Sequence, residues 1–158
     1  VAVLTRAEGD PAPLPHLLDA EDQASGALNI RIDATLRTAQ MRENDAPAHT
    51  LSRSNTELLY WSFAQMLAHH TSNGSAIDTG DLMGSGTVSG ASQDALGSLL
   101  EITRGGAEPM TLAATGEQRT FLEDGDEVIF RGRCEREGFA PIGFGICTGT
   151  LLPAHKPS

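Results

Sequence analysis

The stretch SNTELLYWSFAQMLAHH, residues 54–70, carries the clearest helix signal of the chain. Ser54 and Glu57 fit a capping box, in which each side chain satisfies a free backbone donor of the first turn. Gly74 suits a helix end, because glycine tolerates left-handed backbone. The sequence therefore predicts one main helix over about residues 55–72. Its buried stripe is expected to consist of Leu59, Phe63, Met66, Leu67 and His70.

Downstream of this helix the chain turns to glycines and short apolar runs. Short strands at close spacing, separated by turns, are typical of an antiparallel or mixed β-roll. The predicted fold class is therefore α+β, a mixed β-roll of short strands with one main helix. Strands are expected at Leu82–Met83, Thr87–Ser89, Leu99–Thr103, Thr120–Leu122, Glu127–Cys134 and Gly143–Leu152.

Upstream of the helix the signals are weaker. Three prolines within residues 1–26 fix backbone angles and remove donors, which predicts an extended surface segment. Alternating apolar and polar residues over 28–33 predict a strand with one buried face. Residues 38–52 lack clear periodicity and are interpreted as a loop, and residues 153–158 as a frayed tail.

Charge excludes two classes of partner. The 158 residues include 11 basic and 21 acidic side chains, a formal charge of −10. Nucleic acids and anionic membranes require clustered Lys and Arg. Here the single lysine is Lys156, and the arginines are interspersed with acids. We therefore expect neither nucleic-acid nor membrane binding.

Two cysteines, Cys134 and Cys147, do not make a disulfide framework. No apolar run approaches the roughly 20 residues of a membrane-spanning helix. We expect a cytoplasmic protein with reduced thiols. The first residue is Val1, which fits either processing or a chain that is the later part of something longer.

The segment SGTVSG, residues 85–90, could carry chemistry. No serine in it has glycine two residues away on both sides, as a nucleophile elbow needs, and it lacks the lysine of a P-loop. It is either a glycine-flanked strand end or a site where the Thr87 hydroxyl and bare backbone amides face an anionic ligand.

Glu101 is the second candidate, within the run GSLLEIT at residues 97–103. On a strand this carboxylate either faces solvent or is buried with a partner. If it is buried, it is a candidate for tuning a catalytic base.

No metal site is predicted from spacing. His69 and His70 are adjacent on the helix and point about 100° apart, so they cannot chelate one ion together. The carboxylates of residues 123–127 lack EF-hand spacing and are interpreted as a solvated turn. Cys134 and Cys147 are too far apart for a redox motif, so each is interpreted as a small apolar filler.

Taken together, the motifs occur in an order that resembles the C-terminal part of the fumarylacetoacetase family. The resemblance extends over nearly the whole chain. The His-His-Thr and Ser-Leu-Leu-Glu blocks separate it from the wider superfamily of diketone and acylpyruvate hydrolases. The matching blocks are YWSFAQMLAHHTSNG at 60–74, GDLMGSGTVSG at 80–90, GSLLE at 97–101, FLEDGDEVI at 121–129 and IGFG at 142–145 with Cys147.

The resemblance implies a hydrolase that splits a carbon–carbon bond of 4-fumarylacetoacetate into fumarate and acetoacetate, in tyrosine and phenylalanine catabolism. Similar proteins have a mixed β-roll catalytic domain, bind a divalent metal (Mg or Ca) and form homodimers. The metal would act as a Lewis acid on the diketone, and a His would take a proton from the attacking water.

Two positions match functional residues of that family. Thr87 looks like the residue that binds substrate through its hydroxyl, and Glu101 like the acid that orients the catalytic His. The chain departs from the family pattern at Thr79, Ser75 and Ile146, which are interpreted as turn or packing changes.

The family's metal ligands and catalytic His lie upstream of the matched region, so no metal ligand is assigned in this chain. We expect residues 1–158 to be part of a C-terminal catalytic domain, without the N-terminal domain and metal-binding segment, and to be inactive alone. The alternatives are a non-catalytic fragment with a structural or interaction role, and a related β-diketone or acylpyruvate hydrolase.

Overall fold

The computed structural model describes residues 2–4 and 8–155. Its centre is an antiparallel sheet of four strands in the order β2-β1-β5-β6. These strands are β1 (Arg31–Arg37), β2 (His49–Asn55), β5 (Glu127–Cys134) and β6 (Ile142–Thr150). A separate two-stranded ribbon pairs β3 (Met110–Thr111) with β4 (Gln118–Arg119). The α+β class is confirmed.

The α-helices are short and lie between or before the strands. They are α1 (Ala20–Ser25), α2 (Ala39–Glu43), α3 (Phe63–Thr71) and α4 (Leu99–Ile102). Single 3-10 turns cover Pro15–Leu17, Thr56–Leu58 and Gln93–Ala95. None of the helices in the described ranges is long and apolar enough to cross a membrane.

The sheet has two chemically different faces, because side chains alternate along a strand and directly opposed residues share a face. One face is apolar: Ala34 lies opposite Phe130, and Leu36 opposite Val128. Leu36 forms the buried core with Met41 of α2 and with Leu112. The core therefore lies on this apolar face, next to the C-terminal end of β1.

The other face is cationic. The register brings together arginines that the sequence intersperses with acids, namely Arg31, Arg53, Arg131 and Arg133. Asp33 and Glu135 partly neutralise them, with Asp33 Oδ1 lying 3.9 Å from Arg53 and Glu135 Oε2 lying 3.5 Å and 3.3 Å from Arg31 and Arg133.

The predicted start of the main helix is wrong. Residues 56–58 form one 3-10 turn, and α3 begins after Ser62. The capping box uses Ser62 and Gln65: the Gln65 amide donates to Ser62 Oγ at 3.0 Å and the Ser62 amide to Gln65 Oε1 at 3.0 Å. Ser54 belongs to β2, and its hydroxyl donates to the carbonyl of Val88 at 2.7 Å.

The predicted buried stripe of this helix is also wrong in part. Phe63 and Leu67 are exposed, whereas Gln65 is buried. Gln65 can be buried because its side-chain amide donates to the carbonyl of Leu17 at 2.9 Å, which satisfies the polar end of the side chain. The N-terminal segment thus packs on α3 through a hydrogen bond that hydropathy does not reveal.

Among the strands, Glu127–Cys134 is confirmed in full and the last strand within two residues at each end. The segment 38–52, interpreted as a loop, contains α2 and the first part of β2. The strand predicted at 28–33 begins later, at Arg31.

Five other predictions for secondary structure are wrong. Leu99–Thr103 is the helix α4, because Ser98 caps it. Residues 82–83 and 87–89 form no strand, and the pairing expected at 120–122 occurs at 118–119. The upstream segment is not extended throughout, since Asp19 caps α1 by accepting from the Asp22 amide at 2.9 Å. Of the predicted tail, residues 156–158 lie outside the described residues.

Candidate active site

Glu101 sits in the first turn of α4, where two serine hydroxyls donate to the same carboxylate oxygen. Ser98 Oγ donates to Glu101 Oε2 at 2.6 Å, and Ser89 Oγ donates to that oxygen at 3.0 Å. The Glu101 amide in turn donates to Ser98 Oγ at 3.3 Å. The carboxylate is therefore held in one orientation by its own helix cap and by the loop at residue 89.

These contacts lower the pKa of Glu101. The hydroxyl of Ser98 is the main cause and that of Ser89 the second, while partial burial acts in the opposite direction. Hydrogen bonds to a carboxylate favour its charged form. Glu101 is thus an anion at neutral pH, held half-buried at the surface. Of the two outcomes expected for Glu101, the structure shows a partnered carboxylate, on a helix instead of a strand.

Gly97 allows the loop of residues 87–89 to lie against the start of α4. A Cβ at this glycine would stand 2.6 Å from the carbonyl oxygen of Val88 and 2.7 Å from the methyl carbon of Thr87. The Gly97 amide donates to Ser89 Oγ at 3.0 Å. A continuous hydrogen-bonded chain therefore runs from the Gly97 amide through Ser89 to Glu101.

Thr87 lies beside this junction. Its side chain is exposed, and within the described ranges its hydroxyl takes part in no hydrogen bond. The backbone of the next residue is held in place, because the carbonyl of Val88 accepts a hydrogen bond from the hydroxyl of Ser54 on β2. The structure thus brings Thr87 and Glu101 to one loop–helix junction and leaves the Thr87 hydroxyl open.

An apolar pocket of about 460 Å3 borders the same junction. Gly97 and Ser98 form one wall, and the apolar face of the sheet forms another. Most of the remaining lining is aliphatic or aromatic. The lining residues are Ala34, Leu51, Ser52, Leu96, Gly97, Ser98, Leu99, Ile102, Phe121, Leu122, Val128 and Phe130.

The described residues contain no group of three or more His, Cys, Asp or Glu side chains arranged to hold a metal ion. His69 stacks on His16, with ring centroids 6.4 Å apart, and His70 is exposed at the end of α3. Both cysteines are free; Cys134 is half-buried and Cys147 is exposed, so Cys147 is not the core filler predicted for it.

The turn at residues 123–127 is not simply solvated. Asp126 is 1% exposed and forms a bidentate pair with Arg119: Arg119 Nε donates to Oδ2 at 2.9 Å and a terminal nitrogen to Oδ1 at 3.1 Å. The same guanidinium donates to Glu117 Oε1 at 3.0 Å. The hydrogen bonds of a bidentate pair are stronger than neutral ones and fix the orientation of both side chains.

Glu117 is part of the same network. Burial alone would raise the pKa of its carboxyl, but hydrogen bonds from Thr115, Thr38 and Arg119 outweigh that effect and lower it. The hydrogen bond with Asp126 raises the pKa of Arg119. The network therefore consists of fixed charges that anchor the ribbon of β3 and β4 to α2.

Ser89 and Ser98 are the site residues that sequence reasoning missed. Ser98-Leu99-Leu100-Glu101 has the Ser-x-x-Glu spacing of a capping box. That signal was available and indicates a helix start. Ser89 carries no such signal, because its link to Glu101 depends on how the loop folds back.

Comparison of the sequence with known proteins shows the family of this chain. The family model described as "Fumarylacetoacetate (FAA) hydrolase C-terminal" matches residues 11–151. A protein named Fumarylacetoacetase from Dictyostelium discoideum is 40% identical over 148 residues, which are 93% of this chain and 33% of that protein. One from Arabidopsis thaliana is 41% identical over 145 residues, 92% and 32% of the two chains. One from Aspergillus fumigatus is 54% identical over 106 residues, which are 67% of this chain and 24% of that protein. The chain spans about a third of the length of the relatives from Dictyostelium discoideum and Arabidopsis thaliana.

Proposed function

This chain belongs to the fumarylacetoacetate hydrolase family, and from that membership we propose that it is the C-terminal part of a hydrolase acting on 4-fumarylacetoacetate. Water adds across a carbon–carbon bond of the substrate, and the products are fumarate and acetoacetate. This reaction would serve tyrosine and phenylalanine catabolism in the cytoplasm. The observation that carries the proposal is the ionised, hydroxyl-bonded Glu101 beside the open Thr87, inside the matched region.

Glu101 is proposed as a positioning residue. Its Oε2 is occupied by the two serine hydroxyls, and no hydroxyl of the described residues donates to Oε1. In the proposed enzyme Oε1 would accept the N–H of an imidazole supplied from outside this chain. A charged partner raises the basicity of that imidazole and stabilises the imidazolium that forms when water is deprotonated.

Thr87 is proposed as a substrate-binding residue. Its hydroxyl is exposed, whereas Gly97 and the bond from Ser54 to Val88 fix the adjacent backbone. A hydroxyl on a fixed loop can donate to a carboxylate or ketone oxygen of the substrate without large ordering cost.

The whole enzyme is further expected to form a mixed β-roll, to bind a divalent metal (Mg or Ca) and to be a homodimer. The side chains of the described residues do not fit a metal centre by themselves. No metal ligand is therefore assigned in this chain. This chain alone is expected to show no hydrolysis, because the resemblance places the catalytic His and the metal-binding carboxylates upstream of the matched region.

The test is a chimera in which this chain replaces the matching C-terminal third of the Dictyostelium fumarylacetoacetase, assayed by loss of fumarylacetoacetate. Glu101→Gln should lower kcat, with a loss that can reach roughly 10⁴-fold, as for the aspartate-to-asparagine change in a Ser-His-Asp triad. The acid limb of the pH–rate profile should move to lower pH, because the imidazole loses a partner that raised its pKa.

Glu108→Gln is the matched control, since Glu108 is an exposed carboxylate whose partner among the described residues is Arg104, at 2.8 Å. Its kcat should stay near the parent value. If Glu101→Gln retains the parent kcat and acid limb, Glu101 has no role in catalysis. An active chimera that prefers another β-diketone or acylpyruvate would replace the proposed substrate, and an inactive but folded chimera would favour a structural role.

Thr87→Val in the same chimera should raise KM by about 2- to 13-fold, the equivalent of roughly 0.5–1.5 kcal/mol for one neutral hydrogen bond. Thr50→Val is its control, because Thr50 is an exposed residue on β2. Equal KM values in the two variants would mean that Thr87 only packs against Gly97.

A further inference from the structure

The strand register gathers three arginines on the cationic face of the sheet. Arg31 on β1 lies directly opposite Arg133 on β5. Arg53 on β2 lies opposite Asp33, the next residue of β1 on the same face. The three guanidiniums thus come from three adjacent strands. Like charges that oppose each other across strands destabilise a sheet, so an anion bound between them would relieve that cost.

The same three arginines line one open cavity of about 480 Å3, a volume typical of sites for small organic ligands. Their side chains are 52%, 64% and 50% exposed for Arg31, Arg53 and Arg133. Among the described lining residues Asp33 is the acid and Leu58 the apolar residue. The cavity therefore has an excess of positive charge on a chain whose formal charge is −10. Such a concavity concentrates anions.

The ion pairs of these arginines are long. Glu135 Oε2 lies 3.5 Å from Arg31 and 3.3 Å from Arg133, so two cations share one carboxylate oxygen. Arg53 lies 3.9 Å from Asp33. Within the described residues none of the three guanidiniums donates a hydrogen bond. By contrast, the guanidinium of the buried network described above donates to four oxygens. The donors on the cationic face remain available to a ligand.

The chemistry of the cavity fits a phosphate group. Guanidinium forks match the oxygens of phosphate and of carboxylate. A phosphate monoester has three terminal oxygens and a charge of about −1.5 to −2 at neutral pH, so it can accept from three guanidiniums at once. A carboxylate offers two oxygens and a single charge. The cavity also extends beyond the guanidiniums to Leu58, an apolar contact for the organic part of a monoester.

We propose that Arg31, Arg53 and Arg133 form a binding site for the phosphate group of a small organic phosphate monoester, whose organic part contacts Leu58. The phosphate displaces Glu135 from the two arginines that share it. The inference does not rest on the function proposed above, because the cavity lies on the face of the sheet opposite to the pocket beside α4.

The experiment titrates the full chain with inorganic phosphate, phenyl phosphate and succinate by isothermal titration calorimetry. Neutral pH and a constant ionic strength, set with sodium chloride, keep the general screening of charges the same in all three titrations. We expect phenyl phosphate to bind more tightly than phosphate, and phosphate more tightly than succinate. Succinate bound as tightly as phenyl phosphate would overturn the phosphate assignment. Equal Kd values for phosphate and phenyl phosphate would overturn the contact with Leu58.

Two variants should change the Kd of phenyl phosphate in opposite directions. Arg31→Gln should weaken binding about tenfold or more, because a hydrogen bond to a charged group is lost. Glu135→Gln should tighten binding by about threefold, because it removes the competing carboxylate, whose exposed ion pairs are weak. Arg104→Gln is the matched control, since Arg104 is an exposed arginine outside the sheet, and it should bind as the parent does.

The opposite directions keep the test decisive if one variant folds poorly. Misfolding can weaken binding but cannot tighten it, so Glu135→Gln decides if the circular dichroism of Arg31→Gln differs from that of the parent. The absence of saturable binding to the parent chain, an unchanged Kd for Glu135→Gln, or a loss of binding as large in Arg104→Gln as in Arg31→Gln would each overturn the proposal.

Discussion

Replacement of Asp126 by Asn tests whether the buried ion pair anchors the ribbon of β3 and β4. The change keeps the shape of the Asp126 side chain and removes its charge. One of the two hydrogen bonds from the Arg119 guanidinium to Asp126 must then be lost, because an amide has a single acceptor oxygen. The amide also turns a donor toward the guanidinium. Asp126 Oδ2 further accepts the amide of Glu123 at 3.0 Å, so the turn loses part of its closure as well.

The expected magnitude follows from the surroundings of Arg119. Removing one partner of a buried pair costs about 3–5 kcal/mol. Glu117 and Glu123 remain within 3.0 Å and 3.4 Å of the guanidinium, so it keeps two carboxylates. We therefore expect the low end, about 3 kcal/mol in the free energy of unfolding. For a chain of this size that corresponds to a decrease in Tm of roughly 6–12 °C.

The assay is urea and thermal unfolding of the full chain, followed by circular dichroism at neutral pH. Asp124→Asn is the control, since Asp124 is exposed in the same turn, and its effect should stay within about 0.5 kcal/mol. A loss below about 1 kcal/mol of unfolding free energy for Asp126→Asn would refute the reasoning, because removing one partner of a buried pair costs about 3–5 kcal/mol.

Two further predictions concern stability. Gly97→Ala should cost about 1–3 kcal/mol of unfolding free energy, because the new methyl group would stand 2.6 Å from the carbonyl of Val88. Gly84→Ala, with open space around it, should cost little, and equal midpoints in urea would contradict the geometry of the site. The lowered pKa of Glu117 should stabilise the fold above its unfolded pKa of about 4.3, with that contribution lost as pH falls through the folded pKa. Thr115→Val removes a hydroxyl donor to Glu117, so its urea midpoint should fall less than the parent's between pH 6 and pH 3; parallel curves would show that this hydrogen bond does not set the pKa.

The strands that the sequence predicts correctly are those whose apolar residues mark them as strands. β5 contains Val128, Ile129 and Phe130 directly after a turn at Asp124 and Gly125. A run of β-branched and aromatic residues next to a turn is typical of a strand, and the glycine, with φ of 90°, supplies the turn.

β2 was missed because its buried positions are Ser52 and Ser54. The hydroxyl of Ser54 donates to the carbonyl of Val88, whereas the buried hydroxyl of Ser52 has no hydrogen-bond partner among the described residues. A hydropathy pattern reveals the burial of neither serine. Helix α4 was missed because four residues are too few to display a helical period.

The candidate site was predicted from sequence only in part. Glu101 was singled out by its place among apolar residues and Thr87 by its glycine neighbours, but their roles came from family resemblance. That the two share one junction depends on Gly97 and Ser89, which meet across a sequence separation of eight that includes the 3-10 turn Gln93–Ala95. Irregular loops have no period to detect, so only the folded structure reveals such a contact.

The central pairing of the sheet has a consequence for how fast the chain folds. β1 pairs with β5 across a sequence separation that runs from Arg37 with Glu127 to Arg31 with Arg133, whereas β1 with β2 and β5 with β6 are local hairpins. Closing so long a loop must precede any gain from the contacts it allows, and pairings of this kind slow folding. We expect the two hairpins to form first and their association to limit the rate. Substitutions at the β1–β5 seam should then change the refolding rate in stopped-flow experiments, while substitutions in α3 mainly change the unfolding rate.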